Sequence, residues 1–136
     1  MSYDISLLDP ATKKVIEFDH THQMAGGTYI LGGTNKAWLN VTYNYSIWYC
    51  KDEVFPDNIG IRILDNMSAV DSISILENAI STINNIPQDL SNEEIEVYKE
   101  ENVDGYWLPT KVNAVRPLYQ LLAMAKLRPD GIWEVM

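Results

Sequence analysis

The chain is short of cysteine, of basic charge and of long apolar runs, and each shortage excludes a class of protein. Cys50 is the only cysteine in 136 residues, so no intrachain disulfide exists and a reducing, cytoplasmic compartment is expected. Ten Lys and Arg stand against nineteen Asp and Glu, a formal charge of −9. A general nucleic-acid binder displaces phosphate counterions with a basic footprint, which this balance does not supply. No apolar run approaches the ~18 residues of a membrane helix. Asp4 and Asp9 interrupt the opening where a signal peptide would be basic and then apolar. A soluble protein with no membrane partner is therefore expected. Neither glycine pair is followed by the Gly-Lys-Ser/Thr of a phosphate loop, so the nucleotide-hydrolase signature is missing too.

What is there fits one domain, residues 1–136, with 46% hydrophobic and 21% charged residues, ordinary for a globular protein. The acid is unevenly placed. Asp89, Glu93, Glu94, Glu96, Glu100, Glu101 and Asp104, offset only by Lys99, form an acidic insertion over about 87–105. After it, Lys111, Arg116, Lys126 and Arg128 outnumber Asp130 and Glu134, so a local anion site is compatible with the acidic average.

The most patterned stretch is 26–49. From Leu39 to Tyr49 odd positions are apolar or aromatic, and Asn40, Thr42, Asn44 and Ser46 alternate with them. That period of two predicts a strand over Ala37–Tyr45, extending toward Cys50 with a break near Ser46. Gly26-Gly27-Thr28 and Gly32-Gly33-Thr34 precede it as turns or as backbone that approaches a ligand closely, with Tyr29–Leu31 a short strand between them. Upstream, Ser2–Phe18 reads as a β-hairpin around Asp9-Pro10. Downstream, Ile59, Ile61 and Ile63 predict a short strand.

Three helices announce their starts. Ser68 precedes Val70, Ile73, Leu76, Ile80 and Ile83; Ser91 stands three residues before Glu94; Thr110 precedes Val112, Val115, Leu118, Tyr119, Leu122 and Ala125. Pro117 predicts a kink or a restart in the last of these. Trp133 is expected to fold back onto the core. The fold class is α+β: an antiparallel sheet from the N-terminal half with two main helices packed on one face.

Chemistry is sparse. His20 and His22 on a strand point the same way, and with Asp19 they are the one candidate metal cluster, against the plainer reading of a polar strand end. Cys50 reads as a small buried thiol before it reads as a nucleophile. Nineteen carboxylates offer too many accidental pairs to single out an acid and a base. Trp38 and Trp48 fall on the polar side of the predicted strand, where core burial explains them poorly and base stacking or interface anchoring explains them better.

The segments GGTYILGGTNKAWLNVTYNY, GIR at Gly60–Arg62 and YWLPTKVNAVRPLYQLLAMAKLRPDGIWE resemble a family of small phage and prophage proteins. The resemblance covers most of the chain outside 51–58 and the acidic insertion. His22 and Met24 match a histidine-methionine pair before the first glycine pair, whereas Pro117 departs from a more regular helix. It implies a mobile-element setting, with interference against a bacterial defence or an accessory role as the jobs.

Together these readings predict a non-enzymatic binding protein without a cofactor. It would hold a small polar, nucleotide-like ligand between the glycine loops, the polar face of the central strand and the start of the last helix. His22, Thr28, Tyr29, Asn40, Tyr43, Tyr45, Trp107, Lys111 and Arg116 are the candidate ligand residues. The alternative is an inhibitor whose acidic arm docks on a bacterial protein target or mimics DNA charge. A metal-dependent hydrolase through His20 and His22 ranks third. Exposed aromatics also predict a homo-oligomer.

Overall fold

The computed structural model describes residues 1–23 and 32–136, which form an α+β fold. Its first strand, β1 (Ser2–Leu8), leads through a turn to β2 (Glu17–His22), which pairs with β3 (Thr34–Lys36). Next comes β4 (Trp38–Thr42), and β5 (Ile132–Val135) closes the chain. The main sheet is antiparallel in the order β4-β1-β5. Its third strand thus comes from the C-terminal segment, and the expected return of Trp133 to the core takes the form of a strand beside β1.

The hairpin turn forms as its sequence predicts. The Asp9 carboxylate accepts from the Ala11 and Thr12 N–H groups at 2.9 and 3.1 Å, and Ile16 N–H donates to the Leu7 carbonyl at 2.9 Å. Past Ile16 the chain leaves β1 and continues as β2. The expected strand Tyr29–Leu31 lies outside the described residues.

Because side chains alternate across a strand, register sorts the sheet into two faces. Ile5 sits opposite both Leu39 and Val135, Leu7 opposite Trp133, and all five are buried. On the other face Ser2 opposes Thr42, Asp4 opposes Asn40, and Ser6 opposes both Trp38 and Glu134.

The strand expected over Ala37–Tyr45 forms as β4 but ends three residues early, and the strand expected at Ile59–Ile63 is a helical turn instead. β4 ends at Thr42, whose hydroxyl accepts the Asn44 N–H at 3.2 Å and caps a 3-10 turn, Tyr43–Tyr45. That turn runs into the short helix α1 (Ser46–Tyr49). Tyr45, Trp48 and Tyr49 are all buried, at the i, i+3, i+4 spacing of a helix face, while Ile47 is 45% exposed. Trp48 is therefore a core residue. Cys50, expected buried, is exposed. Gly60–Leu64 is likewise a 3-10 helix, entered at Gly60 with φ +64, a conformation a strand does not tolerate.

The longer helices begin where predicted, because N-capping is a local event. Ser68 opens α2 (Ala69–Asn85), Ser91 opens α3 (Asn92–Glu100) and Thr110 opens α4 (Lys111–Leu127), each hydroxyl accepting the N–H three residues on. α2 and α4 pack along one another. Leu76, Ile80, Ile83, Val115, Leu118 and Ala125 of the expected stripes are buried, joined by Ala79, Ala114, Leu121 and Met124, while Val70, Val112 and Tyr119 are exposed. α4 continues through Pro117 without restarting. No helix among the described residues is long and apolar enough to cross a membrane.

Gly131, in the turn between α4 and β5, is required by space. A Cβ there would lie 2.6 Å from Leu7 Cγ, and Leu7 is fully buried. Beside it Arg128 bridges Asp130 at 2.9 Å and Asp9 at 3.2 Å, joining this turn to the β1–β2 turn. Both carboxyls are held below their ordinary value of 3.8, Asp9 first by the Thr12 and Ala11 amides and Asp130 first by Arg128. A depressed carboxyl stabilises the fold above its unfolded-state value and loses that contribution as pH falls through the folded one. Side-chain carboxyl NMR should therefore give both midpoints below 3.8. Arg128→Ala should raise Asp130 more than Asp9; equal shifts would mean that the amides do not hold Asp9.

Candidate functional site

The polar face of the sheet is not open surface. Asn40 and Thr42 are 7% and 3% exposed. Asn40 Nδ2 donates across the strand pair to Ser2 Oγ at 2.7 Å and Asp4 Oδ1 at 3.0 Å, which fixes its amide. Over this floor lies a hollow of about 190 Å3, bordered by Met1, Ser2, Asn40, Thr42 and Asn44 below and by Asn102, Val103 and Trp107 beside it.

Its side wall is held by a series of donors from the turn after β4. Asn44 Nδ2 donates to the Trp107 carbonyl at 2.9 Å, the Tyr45 hydroxyl to the Tyr106 carbonyl, Trp48 Nε1 to the Pro109 carbonyl at 2.8 Å and the Tyr49 hydroxyl to the Ala114 carbonyl at 2.5 Å. Asn113 Nδ2 adds bonds to the Gly105 and Leu108 carbonyls. Burial pushes the Tyr45 and Tyr49 phenols well above their ordinary value, Arg116 partly offsetting it at Tyr45. Both stay protonated donors near neutral pH. The aromatic richness of 43–49 is thus spent on core volume and on fastening the segment 106–114.

Asn102 and Val103 reach the hollow because of how α3 ends. Asn102 takes a left-handed φ of 63°, Val103 N–H donates to the Tyr98 carbonyl at 2.8 Å and Asn102 N–H to the Lys99 carbonyl at 3.0 Å. This is a Schellman stop with asparagine in the place glycine usually takes. It sets the carbonyl end of the α3 dipole, the negative end, at the rim.

Of the nine predicted ligand residues, Asn40 and Trp107 border the hollow. Thr28 and Tyr29 lie outside the described residues. Tyr43 packs edge-on against Tyr3 with ring centroids 4.4 Å apart, and Tyr45 is fully buried. Lys111 is occupied elsewhere: its Nζ donates to the Ile86 carbonyl and its backbone N–H to Asp89 at 3.1 Å. Arg116 is exposed on α4 and does not border the hollow. His22 belongs to a separate apolar cleft of about 180 Å3 with His20, Phe18 and Met124, its Nε2 2.6 Å from the Lys36 carbonyl. Among the described residues no three His, Cys, Asp or Glu side chains gather as a metal site.

Ser2 and Asn102 were not singled out from sequence. Ser2 arrives through the β1–β4 register, and only the left-handed stop of α3 brings in Asn102. A comparison with known family models, curated proteins and solved structures finds no match. The reading of this site therefore rests on its own geometry.

Proposed function

We propose that the protein is a non-enzymatic binding protein that takes a small polar ligand into the hollow above Asn40. The observation that carries this reading is a pair of buried polar side chains, Asn40 and Thr42, beneath a cavity walled by a part-exposed tryptophan. Ser2, Asp4 and the Asn44 N–H hold these two side chains in place, so the floor of the cavity is polar and fixed before any ligand enters. At about 190 Å3 the hollow is smaller than the ~300–1,000 Å3 of drug-sized pockets, so it suits one ring-sized group.

Its polarity narrows the chemistry further. None of the described residues bordering it is Lys or Arg, the Asp4 carboxylate accepts from the Asn40 amide at 3.0 Å, and the negative end of α3 is at the rim. The ligand part that enters is therefore a hydrogen-bond donor: the base or ribose of a nucleotide-like molecule, with any phosphate left toward solvent. In the phage setting that the sequence resemblance implies, sequestering such a signal would blunt a bacterial defence.

Titration calorimetry of the full chain against nucleosides, nucleotides, cyclic dinucleotides and sugars tests the reading. Binding by at least one class is expected, and Trp107→Ala should weaken it roughly tenfold, in line with base–aromatic stacking. Trp107 is 42% exposed, so its removal should leave the fold intact. No heat with any class, or equal affinity in the variant, would overturn the proposal.

A further inference from the structure

α3 stands out from the described residues, with only Ile95 and Tyr98 half-buried. None of its nine residues is buried, and no helix or strand among the described residues packs along it. A nine-residue helix is too short to persist in water on propensity alone, so its ends have to hold it. Ser91 and Glu94 form a reciprocal capping box, Glu93 and Glu94 occupy the first turn, Lys99 the last, and the Schellman stop closes the C-terminus. Its base is tied down on both sides, by Asp89 to Lys111 before it and by Asn44 to Trp107 after it. The helix is ordered in advance and presented outward.

What it presents is a stripe. At about 100° per residue, Glu93, Val97 and Glu101 align one turn apart with Glu94 and Tyr98 beside them, and Lys99 falls on the far side. The same five residues share one open face of the helix, and Val97 is 53% exposed. The pattern along that face is carboxylate, apolar, carboxylate.

We propose that this face of α3 is a docking surface for a basic amphipathic segment of another protein. The complement of the stripe is an apolar anchor seated on Val97 and Tyr98, with Lys or Arg one turn to either side, facing Glu93 and Glu94 at one end and Glu101 at the other. Charge complementarity sets encounter and orientation, and the apolar contact distinguishes this surface from a diffuse acidic patch. Because helix and base are fixed beforehand, docking orders little of this chain. None of the five stripe residues borders the hollow above Asn40, so this surface stands independently of the ligand reading.

The test uses the full chain and a labelled synthetic helical peptide carrying Lys or Arg one turn on each side of a leucine, read by fluorescence anisotropy. Saturable binding is expected, falling with salt and weakened roughly tenfold by Val97→Asp, as for loss of a central anchor. The triple variant Glu93→Gln, Glu94→Gln, Glu101→Gln should weaken binding and flatten its salt dependence. Glutamine at 94 keeps the capping-box hydrogen bond, and the single variant Glu101→Gln, outside the first turn, should weaken binding in the same direction with helix content unchanged by circular dichroism. Equal binding of the Leu→Ser peptide would reduce the surface to charge alone and overturn the proposal. So would binding that no variant alters, or none above that of a Glu-substituted peptide.

Discussion

Trp133→Ala is expected to cost about 4 kcal/mol of folding stability, within the ~3–5 kcal/mol range for truncating a buried aromatic. Trp133 is fully buried on β5 opposite Leu7, and its indole Nε1 donates to Ser72 Oγ on α2 at 2.8 Å. Ser72 is itself fully buried, and its hydroxyl donates to the Ala69 carbonyl at 2.7 Å. One side chain thus joins the third strand to the first turn of α2, and its backbone bonds Met67 and Asn66 at 2.9 Å each. Alanine leaves a cavity and removes the donor to Ser72 Oγ. Ser72→Ala, which only strands the indole donor, should cost less, ~1–3 kcal/mol. Urea unfolding measures both. A Trp133→Ala loss below about 2 kcal/mol would mean that β5 is a peripheral strand and not part of the core.

Tyr49→Ala should cost a similar amount, about 4 kcal/mol, and Tyr49→Phe only about 1 kcal/mol. Tyr49 is 1% exposed, with its ring edge-on to Tyr45 at 5.9 Å and to Phe55 at 5.7 Å. Most of its contribution is therefore volume. The hydroxyl's bond to the Ala114 carbonyl accounts for the smaller part. The phenol also sets an alkaline limit. Burial raises it far above 10 in the folded state, so the unfolded chain releases its proton first and stability falls as pH rises above about 10. That loss should shrink in Tyr49→Phe. An unchanged alkaline slope would show that Tyr49 is not the group responsible.

These residues also show what the sequence could disclose. The helix starts at Ser68, Ser91 and Thr110 were legible because a cap is decided within four residues. β1 and β4 were legible because apolar and polar residues alternate along them. The stretch from Tyr43 to Tyr49 carried two periods at once. Its alternation fitted a strand, while Tyr45, Trp48 and Tyr49 fitted a helix face, and the Thr42 cap on Asn44 tips it to the helix. Ile59, Ile61 and Ile63 posed the same ambiguity, resolved by Gly60 at positive φ and by burial of Ile61 with Leu64 three residues on.

The site was legible in its floor and not in its walls. Asn40 and the polar row of β4 were readable as one face, and Trp107 as part of the chain's aromatic load. Lys111 and Arg116 are candidates from sequence because bases outnumber acids after the acidic insertion. Yet Lys111 caps backbone and Arg116 lies out on α4. Asn102 joined the site through a backbone conformation, and Ser2 through pairing with a residue forty positions away. Neither kind of information is local in sequence.

The most direct test of the hollow is amide and side-chain chemical-shift mapping of the intact protein titrated with the tightest ligand that calorimetry finds. The account predicts shifts concentrated on Ser2, on the Asn40 and Asn44 side-chain amides, on Asn102 and on the Trp107 indole, with His20 and His22 unmoved. Shifts centred instead on the His20–His22 cleft, with the Asn40 amide silent, would contradict it.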